Sequence, residues 1–214
     1  MTRREFVAGT SALAIIAALD ASFAPAALAQ GAAVSTAELM EAGPLPEQSL
    51  GKDDAPVTVI EYASMTCGHC AQFHANTYPE FKKRYVDTGK VRYILREFPL
   101  DPLAAGAFML ARCAGKDRYF PLVETLFQQQ RTWVVQKPIE PLFAIARQAG
   151  FTQQTFDTCL KDQKMLDGIE WVRARGSEKF KVDSTPTFFI NGKVYKGVLT
   201  IDDMAKAIDP LLKS

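Results

Sequence analysis

The stretch VTVIEYASMTCGHCAQFH, residues 57–74, joins two patterns end to end. Val57, Thr58, Val59, Ile60 and Tyr62 are β-branched or aromatic and predict a short buried strand. The run carries one acid, Glu61, and breaks at Ala63-Ser64. Cys67-Gly68-His69-Cys70 follows at once, and Ala71 to Tyr85 continues with helical spacing. Two thiols therefore sit where a strand hands over to the first turn of a helix. The first N–H groups of a helix lack intrahelical partners, and the helix dipole is positive at that end. Both effects favour a thiolate on Cys67, and thiolate is the reactive form of cysteine. Two intervening residues let the sulfurs meet across one turn, so the pair can close and reopen a disulfide. His69 adds a donor near the Cys67 sulfur, and a positive charge when protonated. The stretch predicts a redox site.

A zinc site is the competing reading of a CxxC pair. Structural zinc needs four ligands, commonly a second CxxC or a histidine pair. Cys113 and Cys159 are isolated in the sequence and supply neither. His74 shares a helical stripe with Cys70 and lies beside Phe73, which predicts a core or boundary histidine. No metal is expected, and no cofactor, because the sulfurs themselves are the redox centre.

The chain has 214 residues, 48% of them hydrophobic, and a formal net charge of +1. That length allows one domain with an insertion. The charge gives no electrostatic reason to expect nucleic acid or an anionic membrane surface as partner. Residues 1–29 predict an export signal: Arg3 and Arg4, a mildly apolar Val7 to Leu19, and Ala27-Leu28-Ala29 before Gln30. Thirteen such residues are too few and too mild for a membrane anchor, so the mature chain is not expected to span a bilayer. Thr2-Arg3-Arg4-Glu5-Phe6 fits a twin-arginine signal, and an ordinary Sec leader fits equally. Export implies the periplasm, an oxidising compartment where disulfides persist.

Residues 30–50 are rich in Ala, Gly, Pro and Glu and predict a lead-in segment, with a helical turn at Ala37 to Met40 stopped by Gly43-Pro44-Leu45-Pro46. Val91 to Arg96 alternates like a strand. From about 102 to 180 the periodicity is almost entirely helical, and this block separates two sheet-forming halves. It therefore predicts an insertion. Strand character resumes at Thr187 to Asn191, and Asn191-Gly192 marks a hairpin to Val194-Tyr195. Thr200 caps a final amphipathic helix, with Asp202 and Asp203 in its favourable first turn. A βαβ start with CxxC at its first strand–helix turn predicts a thioredoxin-like α/β domain over 51–214, with an inserted all-helical subdomain.

Three further features bear on chemistry. Glu61 is an acid on an apolar strand, where burial disfavours the charged form and allows a proton to be exchanged with Cys70; the plainer alternative is a strand-edge glutamate paired with lysine. Cys113 and Cys159 fall in different helices of the insertion. They are either a structural disulfide, worth roughly 4 kcal/mol in the loop-entropy account, or two buried free thiols; an oxidising compartment favours the disulfide. Trp133 with Val134-Val135 lies between helices and is assigned to core packing rather than to a partner patch.

Glu61 six residues before Cys67, the Cys67–Cys70 motif, Arg96-Glu97-Phe98-Pro99-Leu100 and Thr185-Pro186-Thr187-Phe188-Phe189-Ile190-Asn191-Gly192 occur in that order. Together they resemble the DsbA-type periplasmic thiol–disulfide oxidoreductases, which have a thioredoxin fold, from about Gly51 to the C-terminus. The resemblance implies a cis Thr185–Pro186 bond facing Cys67, where the Thr185 backbone pairs with an extended substrate. It implies that Glu61 relays protons, that substrates are unfolded or folding exported proteins with cysteines, and that a quinone-linked inner-membrane protein reoxidises the pair. No dimerisation segment is visible, so a monomer is expected. Two departures leave the direction of exchange open. Gly68 stands where the family's namesake has proline, and Thr185 precedes the proline as in many isomerases and reductases. A disulfide isomerase or reductase is therefore the alternative to an oxidase, and a redox-inactive, chaperone-like binder of exported chains is the second.

Overall fold

The computed structural model describes residues 34–213. The export signal read at residues 1–29 lies outside the described residues. Five strands form one mixed sheet: β1 (Gln48–Leu50), β2 (Val57–Ala63), β3 (Val91–Glu97), β4 (Thr187–Ile190) and β5 (Lys193–Lys196), in spatial order β1-β3-β2-β4-β5. β2 and β3 run parallel, with Val59 opposite Tyr93 and Glu61 opposite Leu95. β4 lies antiparallel to β2 on its other side, and β5 returns from β4 through Asn191 and Gly192, both at positive φ. That turn needs left-handed backbone at two successive residues, which Asn-Gly tolerates.

The helices are α1 (Thr36–Leu39), α2 (Gly68–Asn76), α3 (Tyr78–Phe81), α4 (Pro102–Cys113), α5 (Lys116–Gln128), α6 (Gln130–Trp133), α7 (Ile139–Gln148), α8 (Gln153–Leu160), α9 (Gln163–Glu178) and α10 (Ile201–Ile208). The pleat sends alternate residues of β2 to opposite faces. Val57, Val59 and Ala63 join the core with Phe73 of α2, Phe81 of α3, Phe108 of α4 and Met204 of α10. Ile60 and Tyr62 face the other way, onto Leu39, Val172, Phe180 and Phe189. Both faces of β2 are thus buried, which is why its apolar run is nearly continuous. Helices α4 to α9 form the insertion between β3 and β4, and the chain is a thioredoxin fold carrying that helical block. Cys113, at the end of α4, is bonded to Cys159 in α8.

Two expectations are corrected. The segment 30–50 is more than a lead-in: its last three residues form β1, with Leu50 opposite Tyr93, so the sheet begins before Gly51. The helix expected to run on from Ala71 to Tyr85 is broken. Thr77 caps α2 with its φ stretched to −113°, α3 starts anew with Pro79 in its first turn, and a wider π turn covers Lys82–Val86. Pro79 has no N–H to continue the ladder of α2, and proline is suited to a helix's first turn. The Thr77 hydroxyl at the break donates to the Leu199 carbonyl at 2.8 Å, tying it to the segment before α10. Trp133 is fully buried, as expected, and its indole N–H donates to the Leu126 carbonyl at 2.8 Å. Among the described residues no helix is long and apolar enough to cross a membrane.

Candidate active site

β2 ends at Ala63, and the Ser64–Cys67 turn closes with the Cys67 N–H donating to the Ser64 carbonyl at 3.1 Å. Cys67 is the N-cap of α2 with extended backbone, and its carbonyl accepts the first helical bond, from Ala71 N–H. The sequence therefore delivers Cys67 to the electropositive end of the helix, partly exposed, and Cys70 one turn deeper at 0% exposure. Both are free thiols here.

Their environments drive the two sulfurs apart. Cys67 is pulled down from 9.0 to about 5, first by the hydrogen bond from the Cys70 thiol, against an opposing push from burial. The backbone N–H groups of Cys70 and His69 pull in the same direction. In its protonated form Cys67 donates to the Thr185 carbonyl at 3.2 Å, a contact that by itself favours the thiol. The several donors aimed at one sulfur outweigh that single acceptor. Burial pushes Cys70 well above the ordinary thiol range, and the shared bond with Cys67 and the Glu61 carboxylate push it further.

The Thr185–Pro186 peptide is cis, and both residues are buried beside Cys67. His69 is exposed, and its backbone N–H supplies the contact to the sulfur. Glu61 is fully buried on the face of β2 beneath α2, which excludes the strand-edge reading. Its Oε2 accepts a 2.6 Å bond from the Tyr93 hydroxyl and lies 3.3 Å from His74 Nε2, while Oε1 has no protein partner among the described residues. His74 is buried, as its spacing predicts. It stacks on Phe127 with ring centroids 4.1 Å apart and tilts against Tyr78 at 4.7 Å. What its spacing does not reveal is the contact with Glu61, which only the packing of α2 over β2 creates.

The insertion also reaches the site. The Thr66 hydroxyl donates to Asp101 Oδ2 at 2.6 Å, and Asp101 Oδ1 caps α4 through Ala104 N–H at 2.8 Å. Gln130, at the start of α6, donates from Nε2 to the carbonyls of Met65 and Cys67 at 2.8 and 3.0 Å. The Asp101 cap is local, but the contacts of Asp101 and Gln130 with the redox loop join residues 35 to 65 positions apart, and no local pattern marks them. Cys113 and Cys159 belong to the helical block and are bonded to each other, not to the redox pair.

Such an arrangement, one reactive and one buried sulfur at a helix start, is suited to thiol–disulfide exchange. Residues 45–210 match the family model described as thioredoxin. A Rickettsia bellii protein named as a candidate protein-disulfide oxidoreductase is 34% identical over 166 residues, which are 77% of this chain and 64% of that protein. The match thus spans less than two thirds of that relative's length. A Bacillus cereus protein, "probable disulfide bond formation protein D", is 30% identical over 173 residues, 78% of this chain and 79% of its own. The crystal structure of Wolbachia pipientis alpha-DsbA1 superposes with a TM-score of 0.76 at 34% identity, covering 82% of this chain and 95% of that one. The chain belongs to the thioredoxin family and, within it, to the DsbA-type protein-disulfide oxidoreductases.

Proposed function

We propose that the chain is an exported thiol–disulfide oxidoreductase that introduces disulfides into folding proteins in the periplasm by exchange through Cys67 and Cys70. The observation that carries this reading is the asymmetry of the pair: Cys67 partly exposed and drawn to about 5, Cys70 buried and pushed far up. A thiolate stabilised at Cys67 stabilises the reduced protein, and that makes its disulfide the stronger oxidant.

In the oxidising direction a substrate thiolate attacks Cys67 Sγ, the Cys67–Cys70 bond breaks, and Cys70 leaves with the electron pair. Cys70 favours its thiol form, so a proton must reach it in the buried site; Glu61, buried near enough for its charge to raise Cys70, supplies it in this reading when protonated. A second substrate thiolate then attacks the substrate sulfur of the mixed disulfide. Cys67 leaves as thiolate, the substrate holds the new disulfide, and two electrons rest on the Cys67–Cys70 pair. The backbone of Thr185, beside the sulfur, holds the substrate as an added strand. The reduced pair returns its electrons to a quinone-linked inner-membrane protein. The substrates are unfolded exported chains with cysteines, and the protein acts as a monomer. The Cys113–Cys159 bond holds α4 to α8 and takes no part in the exchange.

Equilibrium with a glutathione redox buffer tests the direction. An oxidase remains largely reduced in a buffer that leaves a thioredoxin-like pair oxidised; a largely oxidised pair there would assign the chain to the reductases or isomerases. The pH profile tests the cause. With Cys67 ionised above about pH 5 and Cys70 protonated, the oxidised protein plus two glutathione thiols gives thiolate, thiol, glutathione disulfide and one proton. The constant toward the reduced protein is therefore flat below about pH 5 and rises about tenfold per pH unit until glutathione itself ionises, near pH 8.5. A profile flat throughout that window would overturn the thiolate assignment.

Glu61→Gln tests the relay. Glutamine retains an acceptor for Tyr93 and the side-chain volume but cannot take up or release the proton. Turnover with model thiols is expected to fall on the order of tenfold or more, with the fold retained. Unchanged exchange rates in a folded variant would remove Glu61 from the mechanism.

A further inference from the structure

The insertion contributes no sulfur to the exchange, yet it touches the redox loop twice, through Asp101 on Thr66 and through Gln130 on Met65 and Cys67. Gln130 is the more telling contact. Its backbone is fixed by the short turn after α5: Thr132 N–H donates to the Gln129 carbonyl at 2.8 Å, and Val134 N–H to the Gln130 carbonyl at 2.9 Å. Trp133, wholly buried and bonded to Leu126, anchors that turn in the core. A flexible side chain on a rigid base reaches across to the loop. One amide group there satisfies two carbonyls on either side of Thr66.

Those two carbonyls bear on the chemistry. The Cys67 carbonyl is two bonds from the carbon bearing the reactive side chain and already accepts from Ala71 N–H. The Met65 carbonyl sits in the turn that sets the direction of the Cys67 N–H. The Cys67 carbonyl stays on Ala71 N–H without Gln130, but the Met65 carbonyl, left free, can turn its negative end toward a sulfur that carries negative charge when reduced and none when oxidised. Held on the Gln130 amide it cannot, and the positive end of that amide also offsets the Cys67 carbonyl next to the same sulfur. The contact therefore has unequal worth in the two redox states, and a purely structural contact does not.

We propose that Gln130 is a positioning residue for the exchange at Cys67, holding the Met65 and Cys67 carbonyls so that the reduced, thiolate form of the site is favoured over the disulfide form. The assignment rests on the reading of Cys67–Cys70 as an exchanging pair. Its consequence is that the helical insertion, through one glutamine 63 residues from Cys67, sets how oxidising the pair is.

The test is Gln130→Met in the full chain, which keeps the reach of the side chain and deletes both donors, with Gln130→Ala beside it. Three quantities are read: thiolate formation at Cys67 from ultraviolet absorbance against pH, the glutathione equilibrium, and unfolding of the reduced and oxidised proteins. Loss of about one hydrogen bond to the thiolate state should raise the Cys67 titration midpoint by about half a unit to one unit. It should also shift the glutathione equilibrium about three- to tenfold toward the disulfide form, and destabilise the reduced protein more than the oxidised one. A folded variant with unchanged midpoint and equilibrium would overturn the proposal, as would equal destabilisation of both redox forms. If methionine prevents folding, the alanine variant is judged by the same readouts. Failure of the underlying reading is a different result: the unmodified protein would not exchange with glutathione at all.

Discussion

Replacing Cys70 with serine should turn the protein from a turning-over exchanger into a trap that holds its substrate. Cys67 in such a variant still attacks a substrate disulfide, because its exposure and the donors from the helix start remain. The mixed disulfide cannot be resolved, since the buried sulfur that would attack Cys67 is gone. Catalysed exchange is expected to fall ~10³-fold or more, within the range lost when a covalent nucleophile is removed. Adduct should accumulate in proportion to added oxidised glutathione, visible as a mass increase that reductant reverses. Cys67→Ser should lose exchange and adduct alike, because Cys70 has no exposure to meet a partner. Retained activity in Cys67→Ser would move the protein out of thiol chemistry and into binding. Serine and alanine at position 70 should also differ. The Cys70 thiol is the largest single influence drawing Cys67 down to about 5. A serine hydroxyl can replace that donor and alanine cannot, so Cys67 should titrate higher in Cys70→Ala than in Cys70→Ser.

The parts of this site differ in how far they could be read from sequence, and the difference is one of range. The sulfurs, the strand before them and the helix after them are local, and their residue types determine them through β-propensity and helix-end electrostatics. The hairpin at Asn191-Gly192 and the cap at Thr200 are local as well, and Thr200 forms the full reciprocal cap with Asp203. β1 was not legible, because Gln48-Ser49-Leu50 has one apolar residue and becomes a strand only by pairing with β3 at the sheet's edge. The break after Asn76 did carry a signal, Pro79, which the surrounding helical periodicity outweighed. Glu61 was legible as an odd acid on an apolar strand, but its surroundings were not. Tyr93 comes from the neighbouring strand and His74 from the helix above, so the buried cluster of the three exists only after α2 packs on the sheet. Gln130 is the extreme case: its role depends on a tertiary contact with no trace in spacing or composition.

The second large effect concerns the scaffold rather than the sulfurs. Glu97, at the end of β3, is 1% exposed and is gripped by Arg112 of α4 through two bonds, Nε to Oε1 at 2.7 Å and Nη2 to Oε2 at 2.9 Å. The Tyr119 hydroxyl of α5 adds a third bond to Oε1 at 2.9 Å, and Arg112 also donates to the Pro46 carbonyl at 3.1 Å. The cluster thus ties the sheet to the first two helices of the insertion and to the strap before β1. Arg112→Met keeps the apolar bulk and strands a carboxylate in the core. Breaking a buried pair on one side costs about 3–5 kcal/mol, because the remaining charge loses its compensation. For a chain of this size that is a fall in melting temperature of about 6–20 °C. Glu97→Gln with Arg112→Met should recover more than half of the loss, since glutamine is neutral and still offers Tyr119 an acceptor. A single variant that melts within about 2 °C of the parent would mean that the charge of Glu97 is not confined as its surroundings imply. Exchange per folded molecule should be unchanged at low temperature in all of these variants, because neither Arg112 nor Glu97 touches the redox loop. That separates them from Gln130, whose loss should alter the equilibrium of the sulfurs while leaving the scaffold standing.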